Sequence, residues 1–431
     1  MGLALSGVAA RTAHALPTNP DVVIIGAGIA GLQAAKSLMA AGRSVVVIEA
    51  ADRIGGRAYT ESNSFGQPHD QGCSWINGPE NPFLDIARSQ GQDIQNHGEA
   101  DEALYVGDRR ATGAERRQYN AAWGAIERAF EQAGEAARDV PAASIIPQNM
   151  AFSGTVQSWV GPMDHGVDFT DLSVLDYWES EESYPSHLVR QGLGQVVAQW
   201  GAEVPVHLNT RALSVDWGGT GVSVETTAGT VAAQSCIVTV STGVLNAGSL
   251  QFRPALPVAK QEAIAHLPMG LLTKIGLQFD GARLGFKPNQ WLTYQVPNKM
   301  PAEACFFLTW PFDFDYSVGF VGGSFGWDLS RAGETAAVDF ALEEIVRMAG
   351  SDARKHFVKG QMSTWADNPN TMGAYAAARP GHYDARSVLA RPVAQKLFFA
   401  GEAVAGSRAA LCSGAFVSGD RVARAAHKLM A

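Results

Sequence analysis

Gly26, Gly28 and Gly31 form a Gly-x-Gly-x-x-Gly run directly after the apolar, β-branched stretch at residues 21–25. Each glycine answers a different steric demand. The first permits a tight turn, the second lets backbone approach a pyrophosphate, and the third lets a helix pack closely on a strand. The helix that follows offers free N–H groups and the positive end of its dipole to an anion. Glu49, 23 residues after Gly26, closes the next apolar run and is placed to accept from ribose hydroxyls while disfavouring a 2′-phosphate. The alternative is a glycine-rich turn of some other α/β fold. The strand before, the helix after and the acid at the right distance argue for a dinucleotide.

A second loop follows at Asp52-Arg53-Ile54-Gly55-Gly56-Arg57. Bare backbone at Gly56 between the cations Arg53 and Arg57 suits a second approach to the same pyrophosphate. NAD dehydrogenases have no need of it, so the choice falls on FAD. Further along, Lys274 alternates onto one strand face with Leu272 and Gly276, opposite Ile275, Leu277 and Phe279. A lysine on such a face is unusual unless it points at a cavity; an ordinary solvent-facing lysine is the alternative.

The elements that must hold these residues can be read coarsely. Residues 21–25 and 44–48 predict buried parallel strands around a helix at 32–41 that Gly42 ends. Residues 111–137 predict a helix. Short strands recur from 204 to 242, separated by Gly218-Gly219 and Ala228-Gly229. Strands are expected at 273–279, 305–310, 319–325 and 396–400, and helices at 255–266, 335–349 and 414–426. The expected architecture is α/β: a Rossmann-type FAD-binding domain (residues 21–80, 195–265 and 390–431) interwoven with an α+β substrate domain on a mixed sheet (residues 81–194 and 266–389).

Composition narrows the partners. The 431 residues carry a formal charge of -9 with no basic block, which argues against nucleic acid. Cys73, Cys236, Cys305 and Cys412 are widely spaced, so neither a zinc site nor a disulfide framework is indicated, and no metal is expected. No apolar run is long enough to span a membrane. Residues 3–10 are small and apolar, and Ala13-His14-Ala15 makes an A-x-A cleavage pattern. Residues 1–20 therefore read as a leader resembling the back half of an export signal, which predicts a periplasmic or exported protein, with the cytoplasm as the alternative.

From about residue 21 to residue 426 the chain resembles the flavin-containing amine oxidase family, which includes monoamine, polyamine and L-amino-acid oxidases. The resemblance is carried by VVIIGAGIAGL…VVVIEAADRIGGRAYT, by Asp70-Gln71-Gly72-Cys73-Ser74-Trp75, by TVSTGVL at 239–245, and by Phe398-Phe399-Ala400-Gly401-Glu402-Ala403 with the glycine-rich final helix. It implies that Gly26, Gly28, Gly31, Glu49, Arg53, Gly56 and Arg57 hold the ADP half of FAD and that Ala212 gives backbone contacts to adenine. Gly72, Ser74, Trp75, Gly401, Glu402 and Cys412 would lie along the ribityl chain and ring. Lys274 would act at ring nitrogen N5 through a water. Tyr375 would wall an aromatic cage that clamps the amine, with Trp365 nearby; core packing is the alternative for both rings.

Some positions depart from the family pattern. Ala374 stands where covalent monoamine oxidases carry Cys, so FAD is expected to be non-covalent. Leu411 replaces the second cage aromatic, and Asn77 stands where polyamine oxidases carry Glu. The resemblance implies oxidation of a small amine to an imine by hydride loss to the flavin. Reoxidation by dioxygen, giving peroxide, or by another acceptor would complete the cycle. An L-amino-acid oxidase, an amine dehydrogenase and a flavin-bound scaffold without activity are the other readings. The resemblance also allows a homodimer.

Overall fold

The computed structural model describes residues 16–98, 100–147, 149–180 and 184–430, and the leader pattern at residues 1–15 lies outside them. Val22–Ile25 is a strand buried along its length, followed by the helix Ile29–Ala40 and the strand Val45–Ile48. These belong to a five-stranded parallel sheet with the order Val206–His207, Val45–Ile48, Val22–Ile25, Ser235–Val238, Leu397–Phe399. Both faces are covered, which is why these strands are continuously apolar rather than alternating. Val22 and Ile24 pack with residues of the helices Ile29–Ala40 and Cys412–Leu429. Val23 and Ile25 face the other way, onto Val215, Val224 and Val231 of a four-stranded sheet and onto Ile264 and Leu389.

The second large element is a seven-stranded mixed sheet ordered Phe357–Met362, Leu272–Phe279, Tyr316–Gly322, Phe306–Thr309, Gln290–Tyr294, Glu102–Val106, Arg109–Arg110. Ile275, Leu277 and Phe279 enter the large core with Ala341, Leu342 and Ile345 of the helix Glu334–Ala349. A long helix, Gly113–Glu135, starts with a capping box in which Thr112 and Glu115 bond each other's backbone N–H. Among the described residues no helix is long and apolar enough to cross a membrane, and no group of three or more His, Cys, Asp or Glu side chains could hold a metal.

Two sequence expectations need correction. The strand expected at 319–325 runs from Tyr316 to Gly322, and a helix, Gly323–Ala332, begins where the strand was expected to continue. The cause is remote: the Asp168 carboxylate accepts from the Ser324 N–H at 3.2 Å and caps the new helix. The run at 204–208 pairs only over Val206–His207, directly after Pro205, which has no N–H to give a ladder.

Candidate active site

At the nucleotide end, two glycine loops lie against each other. Gly28 bridges to Gly55, and a Cβ on Gly56, whose φ is +59°, would come within 3.1 Å of the Gly28 Cα. A Cβ on Gly31 would lie 1.9 Å from the Gly26 carbonyl oxygen, so only glycine lets the helix start so close to its strand. Glu49 accepts from the Ala27 N–H at 2.7 Å and the Ala51 N–H at 2.8 Å, which fixes the first loop and leaves lone pairs for hydroxyl donors. Arg53 stacks 4.0 Å over Tyr59. Ala212, in the strand Ala212–Asp216, lines the same cavity at this end, beside Arg211.

Arg57 joins the two ends of the chain. Its Nη1 donates to the Ala374 carbonyl and to Glu402 Oε1, both at 2.8 Å. Glu402 also accepts from the Ala376 N–H at 3.1 Å and the Ala410 N–H at 3.2 Å, and Gly401 N–H donates to Ser418 at 2.9 Å. The helix Cys412–Leu429 starts at Leu411 with no side-chain cap, and Ile29–Ala40 likewise starts uncapped at Gly28. Both N-termini open on one cavity of about 570 Å³.

Lys274 is buried at the far end of that cavity. Its ammonium donates to the carbonyls of Asp70, at 3.1 Å, and Gly72, and to Ser74 Oγ at 2.5 Å. It lies 5.8 Å from the Trp75 ring and 5.7 Å from the Phe320 ring. Burial pushes its pKa down to about 8, although Asp70 and the thiols of Cys73 and Cys412 oppose this. Leu272 shares the cavity face, while Gly276 on the same side leaves room for Phe65, whose ring a Cβ would meet at 2.5 Å. Tyr375 lines the cavity and donates its hydroxyl to the Met163 carbonyl at 3.1 Å. Trp365 is buried, and its indole N–H goes to the Gln71 carbonyl at 2.7 Å, so it braces the loop carrying Gly72. Asn77 and Leu411 also line the chamber, and Asn77 Oδ1 accepts from Ser186 at 2.9 Å.

The structure adds wall residues that sequence reasoning assigned no role. Trp159, Asp164, Trp291 and Phe320 line the chamber in front of Lys274, and Trp75 stacks on Trp291 at 5.8 Å. Their positions in sequence carry no shared spacing. Only the sheet register and a helical irregularity at residues 159–165 bring them together.

A sequence model of the flavin containing amine oxidoreductases matches residues 29–141 and 124–427. The chain belongs to that family. It is 31% identical over 436 residues to a probable polyamine oxidase 4 of Arabidopsis thaliana, covering 93% of this chain and 86% of that protein. It is 25% identical to a lysine-specific histone demethylase 1B of Mus musculus, covering 98% of this chain and 55% of that one. A putrescine oxidase double mutant shares the fold with a TM-score of 0.78 at 20% identity, over 96% of this chain and 100% of that one. The cyclohexylamine oxidase of Brevibacterium oxydans superposes with a TM-score of 0.76 at 21% identity, over 96% and 99%.

As a family member the chain is an FAD-dependent amine oxidoreductase, and its residues fit that cofactor. Two uncapped helix N-termini present backbone donors to one cavity, which suits a pyrophosphate at one and a ring that gains negative charge at the other. The facing glycine loops leave a cradle that side chains would fill.

Proposed function

We propose that this chain oxidises a small neutral amine held between Tyr375 and Leu411 in front of a non-covalently bound FAD. The substrate would be held largely by the seven-stranded half, residues 81–194 and 266–389. FAD supplies the hydride acceptor when bound. The protein supplies position and a dry, aromatic chamber. The observation that carries the reading is that Lys274 and Tyr375, 101 positions apart, line one cavity continuous with the glycine cradle. Ala374, next to Tyr375, offers no nucleophile for a flavin bond. Lys274 holds a cation against Ser74 and the Gly72 carbonyl, where it can order a water and assist reaction with dioxygen.

Anaerobic mixing of the purified yellow protein with a library of primary and secondary amines tests the reading. Bleaching of the flavin band by amines, with peroxide formed on admitting air, is the expected result. A flavin that no amine bleaches overturns it, and bleaching without peroxide assigns another electron acceptor. We further propose export, which rests on the leader pattern alone; N-terminal sequencing of the native protein should find residues 1–15 removed.

A further inference from the structure

The charges lining the cavity are not evenly spread. Arg53 and Arg57 sit at the nucleotide end, and Lys274 sits beside Ser74. Two of the three lining carboxylates are occupied: Glu49 by backbone N–H groups and Glu402 by Arg57 and two more. The third is Asp164. It is enclosed by protein yet accessible from the cavity, and among the described residues no hydrogen bond or ion pair holds it.

Its placement has a local cause. Trp159–His165 is a π-helix, and the wider i→i+5 turn sets Asp164 one turn from Trp159 on the same side, both on the cavity wall. Met163, the residue before it, accepts the Tyr375 hydroxyl, so the carboxylate lies next to the ring proposed to clamp the amine. Tyr375 and Tyr177 are the titratable groups that feel its charge, and each has its pKa raised by burial first and by Asp164 second. His165 turns away to the Val160 carbonyl at 2.9 Å. No charged side chain acts back on Asp164; burial alone raises its pKa, to about 7.

Resting on the proposed function, we propose that Asp164 is the proton acceptor for the substrate amine. An aliphatic amine arrives as its ammonium form, because its pKa is near that of a lysine side chain, about 10.4. Loss of hydride from the α-carbon needs the nitrogen lone pair, which the ammonium lacks. In the step assigned to Asp164 one N–H bond breaks and one O–H bond forms. The ammonium becomes the neutral amine, the carboxylate becomes the acid, and no electrons change hands. Two separated charges become two neutral groups, which a dry chamber favours. A base that titrates near neutrality is well matched to the task.

The test uses a saturating primary monoamine, so that a distant anchoring site plays no part. In anaerobic stopped flow the wild-type limiting rate of flavin bleaching should rise through about pH 7 and stay flat above it. Asp164→Asn should cut that rate at least tenfold at pH 7.5 and move the limb towards the amine's own pKa, regaining about tenfold per pH unit. Asp164→Glu should retain a limb near neutrality. A uniform loss in the Asn variant at every pH, or a rate and pH profile unchanged from wild type, overturns the assignment.

A second readout needs no turnover. A tert-alkyl monoamine, which has no α-hydrogen, can be titrated calorimetrically at pH 8 in buffers of different ionisation enthalpy. The wild type should release almost no proton, because the proton passes to Asp164, and the Asn variant about one. Equal proton counts overturn the assignment. Should no amine bleach the flavin, the functional reading fails, and the calorimetric comparison still decides the role of Asp164.

Discussion

Arg386 clasps Asp176 through two hydrogen bonds, Nε to Oδ1 at 2.6 Å and Nη2 to Oδ2 at 2.7 Å, with both side chains buried. The same guanidinium donates to the Ala376 and Ala403 carbonyls at 3.0 Å each, and Asp176 accepts from the Ala378 N–H at 2.8 Å. One ion pair therefore braces the strand carrying Tyr375 and the turn carrying Glu402.

Breaking this pair should be costly. Asp176→Ala leaves a buried cation unpaired, and a loss of ~3–5 kcal/mol is expected in chemical denaturation. Replacing both partners, as Asp176→Leu with Arg386→Met, should recover much of it. Burial raises the Asp176 pKa, but Arg386 and the hydrogen bonds hold it below the usual carboxylate value. Its stabilisation is thus present above the ordinary carboxylate range and lost as pH falls through the lower folded value. The wild type and the double variant should converge in stability on acidification. Divergence would show the pair to be dispensable.

Lys274→Met should slow reoxidation of the flavin by dioxygen while leaving anaerobic bleaching by amine largely intact. The pH dependence of stability gives a separate check. The unfolded lysine titrates near 10.4 and the buried one at about 8. Between these values the unfolded chain binds the extra proton, so the wild type should gain ~3 kcal/mol relative to the variant as pH rises across that window. A flat difference would place Lys274 in an environment like water.

Tyr375→Leu should lower the rate of bleaching at limiting amine by ~10–100-fold while the flavin stays bound, because an aromatic face near the reacting nitrogen is lost. Tyr375→Phe keeps the face and loses only the bond to the Met163 carbonyl, so its effect should be several-fold smaller. Equal losses in the two variants would move the role from the ring to the hydroxyl.

Gly56→Ala tests the cradle. The new methyl would sit 3.1 Å from Gly28 Cα on a residue with φ +59°, costing strain and space together. Purified variant should carry less FAD than wild type and bind added FAD at least tenfold more weakly by fluorescence titration. Unchanged affinity would mean that the second loop stands away from the cofactor.

The nucleotide half was legible because its signals are local. Gly26, Gly28, Gly31 and Glu49 sit within 24 consecutive residues, and buried parallel strands read as unbroken apolar runs. Period-two alternation set Lys274 opposite Ile275 and Leu277 but left it facing either solvent or a cavity, and the family resemblance chose the cavity. The chamber wall was not. Trp159 and Asp164 share a side only because their turn is π-helical, a state with no propensity signal of its own. Trp291 meets Trp75 by ring stacking between two separate sheets, across 216 positions. The Gly323–Ala332 helix was missed for the same kind of reason, since its capping carboxylate, Asp168, lies 156 residues upstream.

The cavity wall is completed by Gly401, Glu402 and the start of the helix Cys412–Leu429, which packs against Ile29–Ala40. A ribosome synthesising this chain thus finishes the glycine loops long before it makes the segment that completes their chamber. A nascent chain stalled at residue 390 should fail to retain FAD, whatever its concentration of finished strands. Cofactor capture should wait for residues 401–415 to fold against the glycine loops.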